Sequence, residues 1–294
     1  MGSRSVDEAS GWELLASAGM DVRICQTCGA EYPGDAVPEV CVICADDRQY
    51  LPVEGQLWTS HEQLQGRHSF ALTEEEPDLY RIRVTPEVAI GQVTTLVRTG
   101  AGNLLWEPSG YVDDAMVAAV TQLGGVAAIG GSHPHLMGAA VSWSHAYGGV
   151  PVWWNDDDRR WVTRPDPGLR FWRDREEVLP GVTLIQAAGH FAGSCVAHWA
   201  AGADGRGVLL TGDTIAVAAD RSTVTFMRSY PNRIPLSERS VRKIVSAVSD
   251  VAYDRIYSGF DAMIPAGAAA AVTFSAERYI GWIRDEIRDP DERI

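Results

Sequence analysis

Val126-Ala-Ala-Ile-Gly-Gly-Ser-His-Pro-His135 reads as a short apolar strand that breaks on two glycines and then delivers two imidazoles. The same arrangement recurs twice. Val182-Thr-Leu-Ile185 runs through Gln-Ala-Ala-Gly into His190, and Val208-Leu-Leu-Thr211 runs through Gly212 into Asp213. In open α/β sheets, ligand sites lie beyond the carboxyl ends of strands, so three such ends predict convergence on one point. In an extended segment His133 and His135 project from the same side, because side chains alternate with period two. Pro134 stiffens the spacer between them. Asp213 is a candidate both as a ligand and as the group that orients or deprotonates water.

Working outward, short apolar runs alternate with longer amphipathic ones. Gln92–Arg98, Asn103–Trp106, Val126–Ile129, Val150–Trp154, Val182–Gln186 and Val208–Thr211 read as strands. Val112–Leu123, Met137–Tyr147 and Ser237–Val248 read as helices. Such alternation predicts an α/β protein with helices covering sheet faces. Thr59-Ser60-His61-Glu62 reads as a helix start, with Thr59 and Glu62 as the capping box. Two domains are expected, a cysteine-bearing segment over residues 1–58 and a larger domain over 59–294. His61, His68, His145 and His198 read as ordinary core or surface residues.

Cys25-Gln-Thr-Cys28 and Cys41-Val-Ile-Cys44 form a CxxC–x12–CxxC array. Two thiolates on a tight turn converge on one metal, and a second turn completes a tetrahedral sulfur shell that suits structural zinc, with iron as the other candidate. Gly29 supplies the turn. Two disulfides, or four unconnected core cysteines, are the competing readings, the disulfides disfavoured where no secretion signal precedes them. Cys195 stands apart and reads as a small buried hydrophobe.

The formal charge is −14, and Lys243 is the single lysine among 25 basic residues. A field of that sign repels phosphate backbones and argues against nucleic acid as a partner. Residues 1–60 hold ten acidic residues against Arg4, Arg23 and Arg48, so the cysteine array reads as a folding staple. No window reaches the roughly 18 to 20 apolar residues that span a bilayer, Ala115–Gly130 being the nearest approach. The opening residues show no signal-peptide pattern. A cytoplasmic protein acting on a small molecule, without membrane or nucleic acid, is expected. A homo-oligomer is compatible with these features.

Ser-His133-Pro-His135, Gly189-His190-Phe-Ala-Gly193-Ser194 and Leu-Leu-Thr-Gly212-Asp213-Thr resemble, in order and spacing, the metal motifs of the metallo-β-lactamase superfamily. The likeness covers roughly residues 60 to 265 and includes Asn103-Leu-Leu-Trp-Glu107. It implies a four-layered αβ/βα sandwich with the metal in a cleft at one edge of two facing sheets, preceded here by a small zinc-ribbon-like module. It implies that His133, His135 and His190 hold the first metal, and that Asp213 bridges to a second metal or completes the site. The family pattern places further ligands where this chain has Met137, Gly138 and Phe260, so a mononuclear centre is expected. Asp261, the run Asp156-Asp157-Asp158, and His145 are the candidate replacements.

The chemistry implied is hydrolysis of an ester, lactone, thioester or amide by water activated at zinc or iron. Tyr230 and Asn232, in Ser229-Tyr-Pro-Asn-Arg233, are candidates for stabilising an oxyanion. Trp143, Trp153, Trp154 and Trp172 are candidates for lining an aromatic cleft. Two alternatives stay open. His133, His190 and Asp213 match the facial set of a non-haem iron dioxygenase of the same fold, and the missing ligands suit a degenerate, non-catalytic metal-binding member.

Overall fold

In the computed structural model, which describes residues 21–291, the chain forms two facing sheets with helices outside them. The expectations resting on residues 1–20 lie outside the described residues. The cysteine segment pairs β1 (Val22–Cys25) with β2 (Glu31–Pro33) and with β3 (Trp58–Thr59). The last of these strands straddles the expected boundary at residue 58.

The first large sheet begins as an antiparallel meander: β4 (Ser69–Glu76), β5 (Leu79–Thr85), β6 (Thr94–Thr99) and β7 (Gly102–Trp106). It continues in parallel through β8 (Ala128–Gly130), β9 (Val152–Asn155) and β10 (Leu169–Trp172). The second large sheet orders β11 (Arg175–Leu179), β12 (Val182–Gln186), β13 (Cys195–Trp199) and β14 (Val208–Leu210). Four short strands follow: β15 (Ala216–Val217), β16 (Val224–Thr225), β17 (Met227–Ser229) and β18 (Ile234–Pro235). The sheet closes with β19 (Arg255–Tyr257), parallel to β14, and β20 (Met263–Ile264).

Three apolar clusters define the layers. Leu79, Leu104 and Trp106 of the first sheet meet Val182, Ala197 and Leu210 of the second, filling the space between sheets. Outside the first sheet, helix α2 (Asp114–Gln122) and helix α3 (Ala140–Ala146) bury Met116, Val120 and Trp143. Outside the second lie α4 (Glu238–Val248) and α5 (Ala268–Ile283). Val241, Ile244 and Val248 fall at helical spacing on one face of α4, and all three are buried. Each such side chain contributes about 1.5–3 kcal/mol by leaving water. The result is the expected αβ/βα sandwich.

Local details differ from the sequence reading. The first helix, α1 (His61–Leu64), is capped by Ser60, whose hydroxyl accepts from the Gln63 amide, so the cap lies one residue later than expected. Thr59 is instead the end of β3 and donates to Gln63 Oε1. The expected helix over Met137–Tyr147 begins only at Ala140, because a 3-10 turn over Pro134–Leu136 and a left-handed Gly138 precede it. No helix among the described residues is long and apolar enough to cross a membrane.

The cysteine module is fastened to the sandwich through Glu31. This buried carboxylate accepts from Arg164 at 2.9 Å, is paired with His61 at 2.9 Å, and receives the Ser142 hydroxyl. Burial alone would raise its pKa, but Arg164 and His61 outweigh burial and hold it at about 2.

Candidate metal centres

The four array cysteines are unbridged and buried. Their sulfurs stand 3.7 Å apart for Cys25–Cys44 and 3.7 Å for Cys28–Cys41. Four sulfurs about 2.3 Å from a common tetrahedral centre would stand roughly 3.8 Å apart. The disulfide reading is excluded for the described geometry, since an S–S bond is near 2.05 Å. Each CxxC turn directs a main-chain amide back, Gly29 to the Cys25 carbonyl and Ala45 to the Cys41 carbonyl. Gln56 donates to Cys25 Sγ and Tyr32 to Cys41 Sγ, at 3.2 and 3.3 Å. Donors aimed at sulfur stabilise thiolate, the form a metal needs. The group can hold a metal ion.

The ends of β8 and β12, from opposite sheets, bring His133, His135 and His190 together. One ring nitrogen from each lies within 4.8 Å of the others. His133 itself is extended, as its sequence context suggests, but the segment does not stay extended through Pro134 to His135. His133 caps the 3-10 turn that carries Pro134, His135 and Leu136, and the turn swings both imidazoles toward His190. All three rings are buried edge to face, and Phe191 packs against them. Burial lowers the pKa of each, that of His190 to about 4, so all three are neutral near pH 7 with a lone pair to give.

The Nε2 atoms of all three are buried and lack any hydrogen-bond partner. Three orphaned acceptors facing one point would carry a desolvation cost of about 1–3 kcal/mol each unless something occupies that point. A metal ion fits them. For two of the three, the opposite ring nitrogen enforces this orientation. His190 Nδ1 donates to the Met227 carbonyl at 3.0 Å. Ser132 donates its proton to Glu107, so its oxygen accepts from His133 Nδ1 at 2.9 Å. Such partners fix the tautomer of metal-ligating histidines. Burial pushes Glu107 up to about 8.

Asp213, beyond β14, sets Oδ2 3.7 Å from His133 Nε2, and burial raises its pKa to about 7. Gly212 before it has φ +50°, and a Cβ there would collide with Ser132 Oγ and Glu107. Only glycine lets the strand end come this close. His135, His190, Gly212 and Asp213 line a cleft of about 580 Å³ whose wall is largely apolar, with Tyr50, Ile90, Val217, Tyr230 and Phe260 among its residues, while His133 borders a separate small void.

The remaining expectations separate. Tyr230 lies in the cleft, its ring 5.9 Å from His190, and its hydroxyl donates to the Asp213 carbonyl at 3.1 Å. Asn232 turns away, its amide donating to the carbonyls of Asp47 and Gln49 in the module. His145 pairs with Asp166 at 2.6 Å, and Asp261 with Arg83 at 2.6 Å. Asp156 and Asp157 engage Arg173. Asp158 is buried with both carboxylate oxygens unpartnered, in a separate small void behind His133, and burial raises its pKa to about 6. Trp143, Trp154 and Trp172 belong to the cores and Trp153 packs against one, so the expected tryptophan-lined cleft is not formed; tyrosines and a phenylalanine line it instead.

The three positions where further ligands were expected differ in their surroundings. Met137 is buried in the helix-side core. At Gly138, φ is +39° and a Cβ would meet the Pro108 carbonyl. Phe260 lines the cleft.

Arg48, Gln49 and Tyr50, from the cysteine module, also line the cleft. Their role was not visible in the sequence. Arg48 is buried, and its Nε donates to the His190 carbonyl at 2.7 Å, across 142 residues of sequence.

No family model matches the chain. The uncharacterized protein YmaE of Bacillus subtilis (strain 168) is 40% identical over 272 residues, covering 91% of this chain and 99% of its own length. Among solved structures, VMB-1 superposes with a TM-score of 0.53 at 11% identity, covering 73% of this chain and 98% of its own. The DIM-1 metallo-β-lactamase, exposed to ceftazidime, superposes with a TM-score of 0.52 at 11% identity, covering 72% and 98%.

Proposed function

The chain belongs to one family with the Bacillus subtilis protein YmaE and is built on the metallo-β-lactamase fold, and from that premise we propose that it is a metal-dependent hydrolase with a mononuclear histidine centre. The observation that carries this reading is the set of three orphaned Nε2 atoms close to one another, two of them on residues that line the cleft. His133, His135 and His190 would hold the ion, zinc or iron, leaving a position open. A metal bound there supplies a Lewis acid that polarises a carbonyl and acidifies water. Asp213 Oδ2 orients the attacking water and accepts its proton, a task suited to a carboxylate whose pKa burial has brought near 7. Tyr230 steadies the Asp213 main chain from the cleft wall. The apolar wall excludes bulk water and suits a carbonyl substrate with substantial apolar area, an ester, lactone, thioester or amide.

A single ion is favoured because Met137 and Gly138 leave no ligand and no room for one. The test is metal analysis paired with a panel of the four substrate classes. One equivalent in the cysteine site, one in the cleft, and turnover of one class that His133→Ala abolishes are expected. Purified, metal-replete protein with an empty cleft would refute the reading. The dioxygenase alternative rests on His133, His190 and Asp213 lying together; iron in the cleft with oxygen uptake would select it.

A further inference from the structure

His190 sits in a segment with no regular structure of its own. Ala188 and Gly189 before it have φ +60° and +93°, and β13 starts only at Cys195. The loop is closed by its own bonds, the Ala187 and Ala188 amides donating to the Ser194 carbonyl and the Phe191 amide to Ser194 Oγ, while the ring and the carbonyl of His190 are held from outside it. Two holders are present. One is the Met227 carbonyl in β17, which takes the Nδ1 proton at 3.0 Å. The other is Arg48, whose Nε donates to the His190 carbonyl at 2.7 Å while its guanidinium lies 4.3 Å over the ring of Phe191.

The two holders are themselves joined. Ser229, at the other end of β17, donates its hydroxyl to the Arg48 carbonyl at 3.0 Å. Arg228 pairs with Asp47 at 2.8 Å, and Asn232 donates to the carbonyls of Asp47 and Gln49 at 3.0 and 2.9 Å. A closed ring results, from the His190 imidazole to β17, from β17 to Arg48, and from Arg48 to the His190 main chain. Asp46 compensates the arginine's charge through its other arm, which lets a cation stay buried here.

We propose that Arg48, supplied by the cysteine module, is a positioning residue of the histidine centre and acts through His190. The inference rests on the reading that His190 holds a metal. Arginine is needed for geometry as well as charge. Its planar fork donates from Nε, pairs with Asp46 and stacks on an aromatic face together, which the single ammonium of lysine does not do. The module is thereby part of the site, since Arg48 follows Cys44 by only four residues.

Cobalt(II) titration of the full chain tests this, because thiolate charge-transfer bands report the cysteine site and ligand-field bands report the histidine site separately. Loss of a supporting group behind a metal ligand typically weakens metal binding about 10–100-fold. Arg48→Ala should weaken cobalt at the histidine site by that factor and change its ligand-field spectrum, with the thiolate bands unaltered. Arg48→Lys should not restore the spectrum. Ser229→Ala should weaken the same site less, and the double variant should lose less than the product of the two single losses. Wild-type affinity and spectrum at the histidine site in Arg48→Ala would overturn the proposal, as would a parallel loss at the cysteine site. Should Arg48→Ala not fold, an unchanged histidine site in Ser229→Ala overturns it equally. His190→Ala is the control: if it keeps full cobalt binding in the cleft, the metal reading fails and not the positioning role.

Discussion

Replacing Glu31 by glutamine removes the buried negative charge that fastens the cysteine module to the sandwich. The carboxyl, ordinarily at 4.5, is held at about 2 in the fold. At about 1.36 kcal/mol per pKa unit, that difference corresponds to roughly 3 kcal/mol of stability at neutral pH. The glutamine also leaves Arg164 buried without its counter-charge, which pushes the loss the same way. A depressed carboxylate pKa stabilises the fold above the unfolded value, and the contribution fades as pH falls from 4.5 toward 2. Denaturant unfolding of wild type and Glu31→Gln, both metal-replete, should therefore differ by about 3 kcal/mol at pH 7 and by roughly 2 kcal/mol near pH 3.5. A difference below about 1 kcal/mol at neutral pH, or one identical at both pH values, would refute the reasoning. It would mean that Arg164 and His61 do not favour the charged carboxylate.

Other outcomes follow from the same geometry. Cys25→Ser should release about one metal equivalent and lower stability by about 2 kcal/mol or more, read by metal analysis and thermal melting. His133→Ala should empty the cleft while the thiolate-bound metal stays, visible as a halving of metal content. Gly138→His, which restores a residue the family pattern calls for, should cost roughly 2 kcal/mol or more and add no second metal, because its Cβ meets the Pro108 carbonyl; a gain of one equivalent would show the loop can open.

Much of the site was legible because its signals are local. A strand followed by glycines and a ligand is written within ten residues, and β12 falls on its expected bounds. The CxxC pairs are equally self-contained. The rest depends on contacts between distant segments. Arg48 reaches His190 across 142 residues, and Glu31 reaches Ser142 and Arg164 across 111 and 133. Nothing near Arg48 in sequence marks it apart from an ordinary surface cation. The Pro134–Leu136 turn was misread for a different reason: X-Pro favours extended geometry before the proline, but the residues after it are free to coil. The capping shift at Ser60 is a choice between adjacent hydroxyls, settled by β3 pairing with β1 through Thr59.

The bridge from Arg48 to His190 also imposes an order on how the protein is made. Cys44 leaves the ribosome 146 residues before His190 (190 minus 44), a lead of roughly 7 to 30 s at typical elongation rates. The thiolates can therefore collect their ion while the cleft does not yet exist. The arginine then waits for His190 and for β17, whose Ser229 holds its carbonyl, both of which follow it in the chain. Metal delivery to the two centres is separated in time, so the ion that matures the cleft need not come from the same pool as the one in the cysteines.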